Sequence, residues 1–177
     1  KIIADYSVPE LARILREYGE ERFAMRVAQA IDRRRRQGPL TSSAELAELV
    51  RNAIPAATRR TGGHPAKRAF QALRIEVNDE LGVLRAAIPA AIDQLRDGGR
   101  IVVLTYHSLE DRIVKHALAA RAADTTPAGL PVALAGHGPT LRLIGRPGEA
   151  PSAAEVDANP RAASARLRAA QRIGSAS

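Results

Sequence analysis

Apolar positions in the first half of the chain recur at the three- and four-residue spacing of amphipathic helices. Ser7-Val8-Pro9-Glu10 has the form of a capping box with proline in the first turn, and Leu11, Ile14, Leu15 and Tyr18 follow at i, i+3, i+4 and i+7. Gly19 supplies the stop. A second helix is predicted from Glu20 to Gln37, with Phe23, Val27 and Ile31 on one face and Gly38-Pro39 ending it. Ser42 and Glu45 form another capping box ahead of Leu46, Leu49, Val50 and Ile54. Three short amphipathic helices in succession make a compact helical unit.

Arg59-Arg60-Thr61-Gly62-Gly63-His64, flanked by prolines, reads as a basic loop. From Pro65 a long helical stretch is predicted to about Arg96, with Gly82 and Pro89 marking breaks or kinks. The pattern then changes. Asp97-Gly98-Gly99-Arg100 is a turn, and Ile101 to Tyr106 is a continuous, largely apolar and β-branched run of the kind buried on both faces of a parallel sheet. Ser108 to Ala122 reads as a helix, so helix, glycine turn, strand and helix follow one another as in a doubly wound α/β fold. Beyond Ala123 periodicity is weak, with short strands expected at Leu141 to Ile144 and Leu167 to Ile173.

Composition narrows the classes. The 177 residues are 45% hydrophobic and 26% charged, the balance of a domain able to bury a core, while aromatics at 3% leave that core to Leu, Ile, Val and Ala. Lys and Arg exceed Asp and Glu by 27 to 19, for a formal charge of +8 and a pI near 10.9, which admits a polyanionic partner such as nucleic acid. With no cysteine, disulfides, thiolate metal sites and cysteine nucleophiles are excluded, and no metal site is expected. No apolar run is long enough to span a bilayer and no signal-peptide pattern opens the chain, so a cytoplasmic protein without a membrane partner is expected. The chain opens on Lys1 and its sole methionine is Met25, which suggests a segment of something longer.

Three groups of residues are candidates for chemistry. At 100° per residue, Ala66, Phe70, Leu73, Val77 and Leu81 share one helix face, while His64, Lys67, Gln71, Arg74 and Asn78 line another; with Arg68, this polar row suits phosphate oxygens and base edges, or is an ordinary solvated face. Arg33, Arg34, Arg35 and Arg36 end the second helix, where cations suit the helix dipole and can also contact RNA. His107-Ser108-Leu109-Glu110-Asp111-Arg112 directly follows the strand, where open α/β sheets hold their ligands. Ser108 with Asp111 reads there as a capping box, which leaves His107 and Glu110 as the better candidates for substrate contact. His116 and His137 are isolated and read as surface residues, and neither a G-x-G-x-x-G nor a Walker loop occurs.

Taken together, four segments resemble the bacterial ribosomal RNA small-subunit methyltransferase H family. They are Tyr18-Gly19-Glu20-Glu21-Arg22-Phe23-Ala24; His64-Pro65-Ala66-Lys67-Arg68 continuing through Asn78-Asp79-Glu80-Leu81; Gly98-Gly99-Arg100 leading to His107 through Lys115; and Asn159-Pro160-Arg161-Ala162 with Ser164 through Arg168. They follow the family's order and span nearly the whole chain. Ala69 stands where Thr is usual, and Ala163 where a basic residue is common.

The resemblance implies an α/β fold, the C-terminal part of a Rossmann-like class I methyltransferase carrying an all-α inserted domain. Residues 1–75 would be the inserted, substrate-recognising domain and residues 76–177 the Rossmann-like part. It implies S-adenosylmethionine as cofactor, bound mainly by an N-terminal portion that these residues do not include, and none of its binding residues here. The implied reaction methylates the N4 amine of a cytosine in small-subunit (16S) ribosomal RNA, with the rRNA or the ribosomal subunit as partner, and this segment alone is expected to be inactive. His107, Ser108 and Glu110 are then pocket candidates, and His64, Lys67, Arg68, Gln71, Arg74 and Arg33 to Arg36 RNA-binding candidates. Two other readings stand beside it: a non-enzymatic, basic helical RNA-binding module, and a homodimer formed through the helices.

Overall fold

The structure, a computed structural model, describes residues 1–58, 66–127 and 136–174. The chain divides into two compact units, Lys1–Glu80 and Leu81–Ser177, where the family resemblance set the division after Ile75.

The first unit is helical: α1 (Ile2–Asp5), α2 (Val8–Glu17), α3 (Ala24–Arg35), α4 (Ser43–Ala53), a 3₁₀ turn at Ala56–Thr58 and α5 (Ala66–Asn78). The predicted box closes on α2, where the Ser7 hydroxyl accepts from the Glu10 N–H and the Glu10 carboxylate accepts from Ser7 N at 2.7 Å. At α4 only half of the expected box forms. Ser42 accepts from Ala44 N, while the Glu45 carboxylate pairs with Arg34 on α3. An arginine within reach outcompetes a backbone amide for that carboxylate. The core gathers Leu11, Ile14 and Leu15 of α2, Val27 and Ile31 of α3, Leu46 and Val50 of α4 and the small side chains of α5.

Two expectations for the long stretch after Pro65 are corrected. The chain breaks at Asp79, which takes φ of 48°, and not at Gly82 or Pro89, which both lie inside α6 (Glu80–Asp93). Asp tolerates the left-handed region better than most residues, and Glu80 holds the bend by accepting from Asn78 Nδ2 at 3.1 Å and from both ends of the Arg74 guanidinium at 2.8 and 3.0 Å. The buried stripe of α5 is Ala66, Ala69, Ala72 and Ile75, with Phe70 and Leu73 flanking it and Val77 70% exposed. Alanines let the helix axes approach closely, so the face that packs is the one with the smallest side chains rather than the largest.

The second unit contains most of α6, then β1 (Arg100–Thr105), α7 (Ser108–Ala122), β2 (Leu141–Glu149), α8 (Ala153–Ala158), a 3₁₀ turn at Pro160–Ser164 and β3 (Arg166–Arg172). The helix predicted at Ser108 to Ala122 is found at those bounds, and all three expected strands form. The sheet order is β1-β3-β2 and both pairings are antiparallel. This corrects the expectation of parallel neighbours: β1 and β2 run the same way, but β3 lies between them. Ile101 and Val103 face the core with Ile88, Ile92, Val114, Leu118, Leu141 and Ala170. Their alternates Val102 and Leu104 are 61% and 49% exposed, and Leu104 stands opposite the exposed Leu167 of β3. The continuous apolar run therefore has only one of its two faces covered among the described residues.

Gly19 sits where the backbones of two helical segments come close. A Cβ there would stand 2.7 Å from the Arg68 carbonyl oxygen and 2.7 Å from that of Leu15, both backbone atoms that cannot swing away. Gly19→Ala is expected to destabilise the helical unit by about 1–3 kcal/mol through overpacking, seen as a lowered Tm in thermal unfolding followed by circular dichroism; an unchanged Tm would show that α2 and α5 are not in this close contact.

Candidate substrate-pocket and RNA-facing residues

β1 ends at Thr105, whose buried hydroxyl donates to the Arg166 carbonyl, and α7 begins at Ser108, with Tyr106 and His107 between. The turn between them is held by a reciprocal cap other than the expected one. The Glu110 carboxylate accepts from the backbone N–H of Tyr106 at 2.8 Å and of His107 at 3.2 Å, while His107 Nδ1 accepts from Glu110 N at 3.4 Å. His107 Nε2 lies 3.2 Å from the other Glu110 oxygen, off the hydrogen-bonding axis, and is buried. Histidine thus fills the N-cap position usually taken by Ser, Thr, Asp or Asn.

Asp111, expected in the cap, is turned elsewhere. Its carboxylate receives Arg168 Nε at 2.6 Å and Arg168 Nη2 at 2.9 Å, a bidentate pair joining α7 to β3 with both side chains largely buried. The guanidinium holds the Asp111 carboxyl below the usual carboxylate range, by hydrogen bonding first and by charge second. Ser108 is exposed on the first turn of α7, and Tyr106 is exposed beside it. The pocket candidates are therefore brought together at the C-terminal end of β1, with His107 and Glu110 fixing the turn and Ser108 opening to solvent. Sequence reasoning missed Arg168: arginines also stand two residues before and four residues after it in β3, and its partner lies 57 positions away, so no local signal marks it.

The basic candidates lie in the first unit and fare differently from one another. His64 lies outside the described residues, as does the Arg59 to Gly63 loop. Lys67 is exposed. Gln71 Nε2 donates to the Tyr18 carbonyl at 3.1 Å, Arg68 reaches the Glu20 carbonyl at 3.5 Å, and Arg74 holds Glu80. Of the arginine run, Arg35 donates to the carbonyls of Ile3, Ala4 and Tyr6 and to Asp32, tying α1 to α3. Arg36 pairs with Asp32 at 2.6 Å, and Arg34 with Glu45 and the Gly38 carbonyl. Arg33 is exposed and makes no ion pair or hydrogen bond among the described residues.

No group of three or more His, Asp or Glu that could hold a metal occurs among the described residues, and no described helix is long and apolar enough to cross a membrane. A nucleotide-type cofactor would need free backbone donors at a strand-to-helix crossing. Here the β1-to-α7 crossing is Tyr106-His107, without glycine, and its donors at Tyr106, His107 and Glu110 are taken by the cap. These residues do not fit such a site.

Compared with known proteins, residues 1–173 match the MraW methylase family. The chain belongs to that family. It is 64% identical over 173 residues to the ribosomal RNA small subunit methyltransferase H of Salinispora tropica, covering 98% of this chain and 47% of that protein. Against the enzyme of the same name from Acidothermus cellulolyticus it is 66% identical over 172 residues, covering 97% and 52%. The counterpart in Saccharopolyspora erythraea is 62% identical over 172 residues, with 97% and 52% covered. The chain thus spans about half the length of these curated relatives. Within this MraW methylase segment, the stretches that carry the resemblance meet pairwise: Tyr18 to Glu20 against Arg68 and Gln71, and Asp111 against Arg168.

Because the pair is partly exposed, Asp111→Asn is expected to cost roughly 1–3 kcal/mol, below the value for a fully buried pair broken on one side. In a double-mutant cycle with Arg168→Gln most of that loss should be coupled. The sign with pH follows from the lowered carboxyl: the stabilisation is present above the unfolded-state value near 3.9 and is lost as pH falls through the depressed folded one. Urea unfolding of the wild type should therefore weaken below about pH 4 more steeply than that of Asp111→Asn; parallel curves would deny the pair its role.

Proposed function

We propose that this chain is the RNA-recognising and C-terminal sheet portion of an S-adenosylmethionine-dependent methyltransferase, which methylates the N4 amine of a cytosine in small-subunit (16S) ribosomal RNA in the cytoplasm. The observation that carries the reading is the match over 97–98% of the chain, at 62–66% identity, to proteins named for small-subunit rRNA methylation. The lone pair of a cytosine amine is delocalised into the ring, so the base has to leave its stack and be held while the amine becomes tetrahedral. The Tyr106 to Glu110 turn is suited to form one wall of that pocket. Its backbone is fixed by the His107–Glu110 cap, and Ser108 faces outward from it.

The helical unit, residues 1–80, is the inserted domain, and Lys67 and Arg33 offer its exposed cations to the RNA backbone, with Arg68, Gln71 and Arg74 beside Lys67. The sheet unit is the end of a Rossmann-like sheet. Its open β1 edge and the uncovered Val102, Leu104 and Leu167 give the remaining length of a family member a strand to pair with and a face to bury. The cofactor belongs to that remaining length, since the crossing after β1 does not suit it.

The test is methyl transfer by the protein carrying these residues, from methyl-labelled S-adenosylmethionine to small-subunit ribosomal RNA, followed by nuclease digestion and mass spectrometry of the nucleosides. N4-methylated cytidine is expected. Label on a ribose, a ring carbon or another base would overturn the assignment, and RNA binding without transfer would favour a non-enzymatic module.

A further inference from the structure

Helices α3 and α4 enclose an open groove of about 610 Å³, lined by Arg26, Gln29, Arg33 and Gln37 from α3 and its end and by Leu49 and Asn52 from α4. Helical spacing explains the α3 side. Arg26, Gln29/Ala30, Arg33 and Gln37 recur at three and four residues, the polar stripe opposite the buried Val27 and Ile31. Arg26 and Arg33 are seven residues apart, so their Cα atoms are separated by about 10 Å along the axis.

The charges near the groove are unequally committed. Its neighbouring carboxylates are already neutralised: Glu45 by Arg34, Glu48 by Arg51, and Asp32 by Arg35 and Arg36. Arg26 and Arg33 are exposed and unpaired among the described residues, and Gln29, Gln37 and Asn52 likewise have uncommitted amides. The groove therefore presents two free guanidiniums, with neutral amides and the already paired Arg34 completing its polar lining, in a chain of formal charge +8. Two exposed cations with amides on the same groove match a polyanion of repeated charges and intervening hydroxyls. A single phosphate or a carboxylate ligand would use only one of two guanidiniums whose Cα atoms lie about 10 Å apart along the helix.

We propose that the α3–α4 groove binds the sugar-phosphate backbone of the substrate RNA, with Arg26 and Arg33 each contacting a phosphate and Gln29 and Asn52 contacting sugar hydroxyls between them. This rests on the RNA-methylating reading and gives it a location. It also separates the Arg33 to Arg36 run by role: Arg33 contacts RNA, while Arg35 and Arg36 hold the fold.

The experiment measures binding of a short, mixed-sequence, fluorescein-labelled single-stranded RNA by anisotropy, over a range of salt concentrations, to the protein carrying these residues. The variants are Arg26→Gln/Arg33→Gln and Asn52→Glu, with Arg16→Gln on α2 as a charge control outside the groove. All four side chains are exposed, so folding should survive, which circular dichroism verifies. Loss of two phosphate contacts should lower the slope of log affinity against log salt by about 1.4, at ~0.7 per contact on a single strand. Affinity should fall roughly tenfold, while Arg16→Gln leaves both nearly unchanged. Asn52→Glu should weaken binding by placing in the groove a carboxylate that competes with the RNA phosphates for Arg26 and Arg33. In methyl transfer the double variant should raise KM for RNA and spare kcat. If the wild type binds and the double variant keeps its slope and affinity, the groove assignment is overturned while RNA recognition stands. If the wild type binds no RNA at low salt, both the groove and the RNA reading fall.

Discussion

The second unit is organised around one ion pair, Asp111 with Arg168, on the helix-covered face of its sheet. Arg168 sits at the centre of the middle strand, opposite Val103 and in line with Ala170, on the side of the sheet that packs against the helices. A guanidinium there is tolerable only with a partner of opposite charge and matching shape. Asp111 supplies it from the first turn of α7, and much follows. Because Asp111 is committed to Arg168, the cap of α7 falls to His107 and Glu110, and the turn after β1 takes its shape from them. Because Arg168 also needs room on its other side, β2 bulges between Ile144 and Glu149, with Gly145 and Gly148 at φ of 71° and 68°. A Cβ on Gly148 would stand 2.9 Å from the Arg168 guanidinium.

The first unit uses polar groups in a comparable way, as ties between backbone ends. Arg35 gathers three carbonyls of the α1 region, Glu21 is buried and accepts from Phe23 N at 2.8 Å, and Gln71 satisfies the Tyr18 carbonyl. Each would otherwise leave a helix end with unanswered carbonyls or amides. Cationic and amide side chains that look in sequence like a surface for nucleic acid are partly the fittings that join short helices. The side chains left over from that work carry the charge outward.

What could be read from the sequence followed from where local forces decide. The capping box at Ser7, the helix at Ser108 to Ala122 and the three strands were legible because each is a local pattern of period and punctuation. The stripe of α5 was not, because ranking faces by hydrophobicity favours Phe70 and Val77, whereas close helix packing selects Ala69 and Ala72. Nor was the break at Asp79, which depends on Arg74 and Glu80 meeting across the bend. The strand at Ile101 to Thr105 was found, but its neighbours were misread, since an apolar run reports how much of a strand expects cover and not which way the adjacent strand runs. In the candidate site, the positions of His107 and Glu110 were readable; the exchange of partners between Glu110 and Asp111 depends on an arginine that comes much later in the chain.

The antiparallel pairing of β1 with β3 also sets an order of events. Arg100 pairs with Gln171 and Thr105 with Arg166, so every rung joins residues roughly sixty to seventy positions apart, and β3 alone joins β1 to β2. Closing loops of that length is entropically costly and slow relative to helix formation. During synthesis the helical unit can complete its core from adjacent segments, while β1 emerges as an apolar ribbon well before β3, its partner among the described strands, has left the ribosome. The interval between those two moments is when this chain is most exposed to wrong associations, and its length is set by the rate of translation and not by the stability of the finished fold.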